Sequence, residues 1–567
     1  MKTAMKGIFI LSLLLALASA VSADETDKDS IIITGHIIDL HDEGVGEAEV
    51  MVLVDGEVYK VDDEEYMTMS APEEGTYCAE IELEMGMIET SKITLEVSKP
   101  TYRTERIDIE EFAKKGNEYI TFKDVILSRA IGPSFYIAAA VLVLIYILIA
   151  FELVHRTIAA LFGAAILLFV TYTLGTFDSE FFVISFEKAL HHVDFNVIGL
   201  LMGMMIIVGI MKGTGVFQWM AYKSYQAAKG RIWPLAVILM LVTAVTSAFL
   251  DNVTSMVLLT PVIIEIALVL RTSPLNFLIP MVLASNIGGT ATLIGDPPNI
   301  MIGSYAGLTF NDFAITLAPF VLITLIPFIG MMYFMYRKTY GEVVVEDIDG
   351  LLERLREEYR ITDSKLLKHS LGVLSFVILL FLTHGVLHME VSIAALTGAS
   401  ILLLISRSNI SEILLNEVEW PTLVFFVGLF IIVGATVETG VIGMIADLVA
   451  DLSGGSLTVA IVLVMWVAAI ASAIVDNIPF TATMLPIVAY LTQVLPGAES
   501  MVLWWALAIG ACYGGNGTLI GASANVVTAG LSERAGHPIS FKEFMKVGAP
   551  VMFVSVFLGT IYILIVF

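Results

Sequence analysis

A chain of 567 residues that is 57% hydrophobic, with a mean hydropathy of +0.86, is excluded from the soluble globular class. Its net charge of −26 is unevenly spread, because residues 24–130 hold 28 Asp and Glu against 10 Lys and Arg. No basic stripe with interleaved aromatics exists, which excludes nucleic acid as a partner. The two cysteines, Cys78 and Cys512, fall in an acidic and an apolar segment and do not form a disulfide framework.

Residues 1–23 carry Lys2 and Lys6, an apolar run from Gly7 to Leu17, and small residues ending Val21-Ser22-Ala23, the pattern of a cleaved signal peptide. Residues 24–130 alternate apolar and polar side chains, as in Glu49–Val54 and Lys92–Val97, between turns at Asp42-Glu43-Gly44, Asp55-Gly56 and Glu74-Gly75. This predicts a small acidic, extracytoplasmic β-sandwich of about seven strands. The run GHIIDLHDEGVGEAEVMVLVDGE resembles prealbumin-like modules over one strand–turn–strand unit. His36 and His41 have no nucleophile or metal-ligand spacing around them and read as solvated loop histidines.

From about Ser134 onward, apolar runs long enough to span a bilayer recur. Repeat 1 occupies 131–336, with helices at 134–153, 157–175 and 194–211. A special stretch follows at 232–270, then a Gly/Pro-broken helix at 274–306 and a closing helix at 313–336. A charged cytoplasmic linker, 337–369, contains the helix-like LLERLREEYR. Repeat 2 occupies 370–567, with helices at 370–388, 391–406 and 421–438, the special stretch 457–494, the broken helix 500–528, and 548–567. SAFLDNVTSMVLLTP and NIGGTATLIGDPPN in the first copy return as SAIVDNIPFTATMLP and YGGNGTLIGASAN in the second, at offsets of 225 and 226. Further matches, such as Ile158–Gly163 with Ile393–Gly398, mark a duplication.

If the special stretches are re-entrant hairpins, each half crosses five times; if they cross as two helices, seven. Either number is odd, so the second copy is predicted to be inverted. With the β-domain outside, the inner loops collect Arg156, Lys223, Lys229, Arg231, Arg271, Arg337, Lys338, the basic residues of 354–368, Arg407, Arg534, Lys542 and Lys546, and the outer loops only Lys188. The expected location is the plasma membrane, multi-pass, in contact with the lipid bilayer.

A charge at the centre of a spanning helix costs roughly 2.5–3.5 kcal/mol and by default marks function. Interrupted helices in matching positions of two halves point to a transporter's binding site. Ser247 stands one helical turn before Asp251, and Ser472 before Asp476, so hydroxyl and carboxylate share a face. Asn252 and Asn477 follow, then Thr254 in one copy and Thr481 in the other. The broken helices add Thr292, Gly295, Asp296 and Asn299, and in the second copy Asn516, Thr518, Gly521 and Asn525. Carboxylates and unwound carbonyls hold Na⁺ or take a proton, and amides at a helix start attract anions. A Na⁺ ion is expected at Ser247, Asp251, Asn252 and Gly295, and another at Ser472, Asp476, Asn477 and Gly521; no other cofactor is expected. The bland reading of Asp251 and Asp476 is helix N-capping. Asp296 aligns with Ala522 and has no acidic counterpart. Glu438 reads as solvated, His384 and His388 as packing residues, and Glu265 has no evident purpose. No Lys or Arg lies in either tip or break, which favours a cation, or an anion only with accompanying cations.

At these motifs the chain resembles the ion transporter superfamily, in particular the branch of arsenite permeases and the P protein, over most of 134–567. DNIPFTA is similar to NhaD-type Na⁺/H⁺ antiporters. The resemblance implies a scaffold, a mobile transport domain holding both hairpins, a homodimer and elevator-like alternating access. Divalent anion–sodium symporters of the same clan carry Ser-Asn-Thr at both tips, where this chain has Asp-Asn. The expected function is a cation- or proton-coupled secondary transporter of a small inorganic ion or anion, with no enzymatic reaction. The alternatives are a NhaD-type antiporter, an anion channel on the same fold, and a membrane-anchored receptor.

Overall fold

The computed structural model describes residues 28–39, 44–61, 64–71, 74–84, 87–115, 118–229, 231–342 and 359–567. The signal-peptide segment and most of the LLERLREEYR stretch lie outside the described residues. The chain divides into two compact units, Met1–Gly132 and Pro133–Phe567.

Alternation of apolar residues builds the first unit. Strand β1 (Lys28–Asp39) buries Ile31, Ile33 and Ile37 on one face. It runs antiparallel to β7 (Thr76–Glu84), Ile31 facing Ile81, and parallel to β11 (Glu118–Phe122) and β12 (Val125–Leu127). In the second sheet β2 (Glu49–Val54) pairs with β8 (Ile93–Ser98), and β8 with β9 (Glu105–Ile109). Val50, Val52, Leu95 and Val97 turn inward to meet Ile81 and Ala79 in one core, so the two five-stranded sheets form a sandwich. The expected seven strands become twelve among the described residues. The extra ones are β3 (Glu57–Val58), β4 (Lys60–Val61) and β5 (Glu64–Glu65) of two residues, and β6 (Met67–Met69) and β10 (Ala113–Lys115) of three. Segments that short show no alternation to read.

The second unit is helical, and its helices among the described residues fall into two sets of ten with the same order. The first set is α1 (Pro133–Ala150), α2 (Arg156–Phe177), α3 (Phe186–His191), α4 (Phe195–Lys212), α5 (Val216–Ala228), α6 (Ile232–Leu250), α7 (Asn252–Val269), α8 (Leu275–Gly289), α9 (Pro297–Ala306) and α10 (Phe310–Glu342). The second is α11 (Ser364–Leu387), α12 (Val391–Ser406), α13 (Ile410–Asn416), α14 (Trp420–Glu438), α15 (Val441–Ser453), α16 (Leu457–Ile474), α17 (Asn477–Val494), α18 (Val502–Gly514), α19 (Ser523–Arg534) and α20 (Phe541–Val566). Ten of these twenty helices are long and apolar enough to cross a membrane. Helix α10 outruns the expected 336, and α11 starts before the expected 370, because their apolar cores carry amphipathic extensions.

Packing between the sets is reciprocal. Helix α4 lies against α12, and α14 against α2; α7 lies against α19, and α17 against α9. The closest approaches are reciprocal too. A Cβ on Gly203 would lie 2.8 Å from the carbonyl carbon of Ala395, and one on Gly428 the same distance from that of Ala160. Within each set the special stretch packs on the broken helix through glycine. A Cβ on Gly288 would lie 2.5 Å from Ala244 Cα, and one on Gly514 2.7 Å from Ala469 Cα. Only a residue without a side chain admits such contact between helix backbones.

Candidate functional site

Each special stretch is two apolar helices separated by one or two residues at the acid. Helix α6 ends at Leu250 and α7 begins at Asn252, with Asp251 alone between them at φ 68°, ψ 155°. That region of backbone space is almost reserved for glycine and costs of order 1–3 kcal/mol. The Asp251 carboxylate caps α7 by accepting from Thr254 N at 2.8 Å. In the second copy Val475 and Asp476 separate α16 from α17, Asp476 has an ordinary φ of −43°, and its carboxylate accepts from Ile478 N at 3.1 Å. N-capping is therefore present at both acids, and both are nearly buried, at 8% and 7% exposure.

The two breaks, 290–296 and 515–522, are built alike. The amide nitrogen of Asn299 donates to Thr290 O at 3.2 Å and Thr292 O at 2.9 Å; that of Asn525 donates to Gly515 O at 2.7 Å and Thr518 O at 3.0 Å. Thr292 and Thr518 donate their hydroxyls to Ala248 O and Ala473 O at the ends of α6 and α16. These side chains replace the helical hydrogen bonds lost at the breaks and tie each break to its neighbouring tip. Gly295 sits where a Cβ would be 2.8 Å from Ser247 O, and Gly521 where one would be 3.0 Å from Ser472 O. Each expected Na⁺ set thus brings its serine and glycine together. Ser247 takes Ser285 Oγ at 3.1 Å, while Ser472 donates to Ala511 O at 2.7 Å. The Thr481 hydroxyl donates back to Asn477 O at 2.7 Å.

The halves are stitched together at these tips and breaks. Asn286 of α8 donates to Asn516 Oδ1 and Asn525 Oδ1, both at 3.0 Å, and accepts from Asn252 Nδ2 at 3.2 Å. From the other side, Asn477 Nδ2 reaches Asp296 Oδ1 at 3.2 Å. All of these residues are at most 2% exposed. Buried amides this dense are costly unless paired, so their convergence from four helices and both breaks marks a built polar centre.

Residues 146–510 match the citrate transporter family. An uncharacterized transporter of Mycobacterium tuberculosis is 44% identical over 429 residues, which cover 75% of this chain and 97% of the relative. The chain belongs to the citrate transporter family. The P protein of Homo sapiens is 38% identical over 507 residues, covering 76% of this chain and 59% of that longer protein. The solved YdaH transporter of Alcanivorax borkumensis aligns over 72% of this chain and 98% of its own, at a TM-score of 0.48 and 14% identity. The protein is thus a multi-pass membrane transporter of a small-molecule substrate, and its resemblance to the ion transporter superfamily holds.

In this transporter one cation does reach a tip, contrary to the sequence reading. Arg156, expected in an inner loop, begins α2 and places Nη1 3.1 Å from Asp476 Oδ2. The same guanidinium donates to Ser523 Oγ and, through Nη2, to Thr422 Oγ1 at 3.1 Å, and stacks over Phe425 with 5.3 Å to the ring centroid. Ser523 Oγ also donates to Asp476 at 2.7 Å. The Thr422 hydroxyl donates to Glu419 Oε2 at 3.2 Å. Glu419 in turn lines a cleft of about 70 Å³ with Thr254, Lys212 and Glu417. A polar chain therefore runs from tip 2 past α14 to the rim of tip 1. Arg156, Ser523, Thr422 and Asn286 were not singled out from sequence. Asn286 could have been, since it opens the repeated motif, but its place in the second copy is taken by Cys512. Glu265 is accounted for by a hydrogen bond from Tyr359. Glu438 is paired with His192 at 3.2 Å and is not simply solvated. His384 packs, accepting from Phe310 N at 3.1 Å.

Proposed function

We propose that the protein is a secondary active transporter in which a cation or proton drives a small ion through alternating access. The reading is carried by one observation: the asparagine-lined centre where tips and breaks of both halves meet, inside apolar helices. In this reading the second half is inverted in the bilayer, the tips enter from opposite faces, and the β-unit lies outside the plasma membrane. The reciprocal packing of the two sets supports a pseudo-twofold relation. Coupling ions, Na⁺ or H⁺, use the tip serine, acid and asparagine with the break glycine in each half. A scaffold containing α2 and α14 holds the mobile tips, and two copies associate.

Arg156 favours an anion among the candidate substrates. Its charge is spent on Asp476 at rest; neutralising that acid with a cation or proton would release a guanidinium, two hydroxyls and the α17 amides to one small anion. Inorganic oxyanions, halides and the carboxylates named by the family description all fit that chemistry. The Asp-Asn tips set the chain apart from symporters with Ser-Asn-Thr tips.

Proteoliposomes holding wild type, Asp251→Asn and Asp476→Asn, assayed with Na⁺, H⁺, chloride, arsenite, dicarboxylates and citrate, test the proposal. At least a tenfold loss of coupled flux is expected in both variants. Unchanged coupled flux in both would leave the acids as caps and sink it. Currents too large for carrier turnover would identify a channel instead. Removal of 24–130 should leave flux intact; its loss would favour the receptor alternative.

A further inference from the structure

The β-unit keeps its methionines out of its core. Methionine is among the residue types most often fully buried. Yet the described methionines of this unit, Met51, Met67, Met69 and Met87, are all absent from its core of aliphatic and tyrosine side chains. Three of them converge on the outer face of the second sheet. In β6 the middle residue, Thr68, stands opposite Val50, a core residue, so Met67 and Met69 on either side of it face outward, at 49% and 54% exposure. On β2, Val50 and Val52 face the core, which turns Glu49 and Met51 to the same outer face. The antiparallel register sets Met51 directly opposite Met67, and Glu49 directly opposite Met69. Opposite residues have Cβ atoms about 4.5–5.5 Å apart, and residues two apart on a strand are separated by roughly 6–7 Å. Three thioethers on flexible, unbranched stems can therefore meet at one point. The strand that carries two of them is pinned at both ends. The Tyr66 hydroxyl accepts from Glu80 N at 2.9 Å, and Ser70 Oγ accepts from Ala48 N at 2.9 Å while donating to Val45 O at 2.8 Å.

We propose that Met51, Met67 and Met69 form a binding site for one soft monovalent cation of the Cu(I) class, for which Ag(I) is a redox-inert substitute. Thioether sulfur is a soft donor that selects Cu(I), whereas Mg²⁺ and Ca²⁺ take oxygen ligands. Three neutral sulfurs leave the ion's charge unbalanced. The Glu49 carboxylate across from Met69 offsets it, and the surplus of acids in 24–130 raises the local concentration of cations. Thioethers also suit the oxidising side on which the transport reading places this unit, because they do not pair into disulfides as thiols do. A face built only to pack against another protein would be served as well by leucine or valine. The site draws on no residue of the helical unit and stands apart from the tips.

Full-length protein in nanodiscs, in a Cys78→Ser background that removes the exposed thiol, is titrated with Cu(I) against a chromogenic Cu(I) chelator and with Ag(I) by equilibrium dialysis. The variants are Met67→Leu, Met69→Leu, the triple change of Met51, Met67 and Met69 to leucine, and Met87→Leu as a control. Leucine for methionine conserves apolar volume and removes only the sulfur. The parent should bind one equivalent of either ion that the triple variant lacks. Each single variant should lose more than the about tenfold in affinity that disturbing even an outer-shell partner of a metal costs, and Met87→Leu should lose none. A triple variant that melts early moves the decision to the two single variants, which change one side chain each. Equal Cu(I) binding in the parent and the leucine variants would overturn the proposal. So would displacement of the ion by excess Ca²⁺, which would assign it to carboxylates. Asp251→Asn and Asp476→Asn should leave this binding unchanged, so failure of the transport reading and failure of the methionine site are read separately.

Discussion

The two tips have the same sequence plan and different physics. At the first, Asp251 holds a backbone conformation that suits glycine, caps α7, and has no basic side chain bonded to it among the described residues. At the second, Asp476 has relaxed backbone, but its carboxylate is shared among a cap, Ser523 and the Arg156 guanidinium. The repeated acid is therefore divided between two environments, strained and without a bonded basic side chain at the first tip, relaxed and ion-paired at the second.

Substitution to asparagine breaks this comparison most severely. Asparagine caps a helix about as well as aspartate. Asp251→Asn should therefore leave unfolding within about 0.5 kcal/mol of wild type while removing coupled flux. Asp476→Asn strips the partner from a guanidinium that is 20% exposed and should cost roughly 2 kcal/mol, discounted for that exposure. Equal stability losses in the two variants, measured by denaturant unfolding in one detergent, would mean that the tips are not divided in this way. A sharper cut is the cycle Arg156→Ala, Asp476→Asn and the double variant. The double should be more stable than Arg156→Ala alone, because removing both charges leaves neither buried without a partner. Strict additivity would reduce the pair to a surface contact.

The comparison also shows what a sequence can announce. Asp251, Asp476, Asp296 and Pro297-Pro298 stood out because an acid or a helix breaker amid apolar residues costs energy and must have a reason. Their repetition supplied the positions of both tips and both breaks, and helix ends such as Val391–Ser406 and Glu438 followed from the apolar runs. Arg156 gave no such signal. Beside Glu152 and His155 it looked like an ordinary basic loop, and only the third dimension carries it some 320 positions along the chain to Asp476. Asn286 was hidden for the opposite reason: one amide in an apolar helix is cheap to overlook when its repeat mate is Cys512. Hydroxyls show another gap: the sequence names Thr292, Thr481 and Thr518 as ion-binding candidates but does not show that each also donates to a carbonyl at a helix end or break.

Glycine contacts offer a smaller, more symmetrical test. Adding a methyl at Gly288 or Gly514 forces it against the backbone of α6 or α16, where no side chain can move aside. Gly288→Ala and Gly514→Ala should each lose about 1–3 kcal/mol, the usual cost of overpacking. Gly443, with open space around it in α15, is the control and should gain a few tenths to about 1 kcal/mol when changed to alanine. If either packed glycine behaved like the control, the special stretch and broken helix of that half would not be in direct backbone contact.

The smallest expected difference lies between the two break threonines. Thr292 and Thr518 make the same hydrogen bond, to Ala248 O and Ala473 O, and valine copies the shape of each while removing the donor. Thr292 is 5% exposed, so its carbonyl would be stranded and Thr292→Val should cost about 1–1.5 kcal/mol. Thr518 is only half-buried, water can replace its hydroxyl, and Thr518→Val should cost about 0.5 kcal/mol. Unfolding of the two variants in the same detergent reads the gap directly. A reversed order would mean that water reaches the first break more readily than the second.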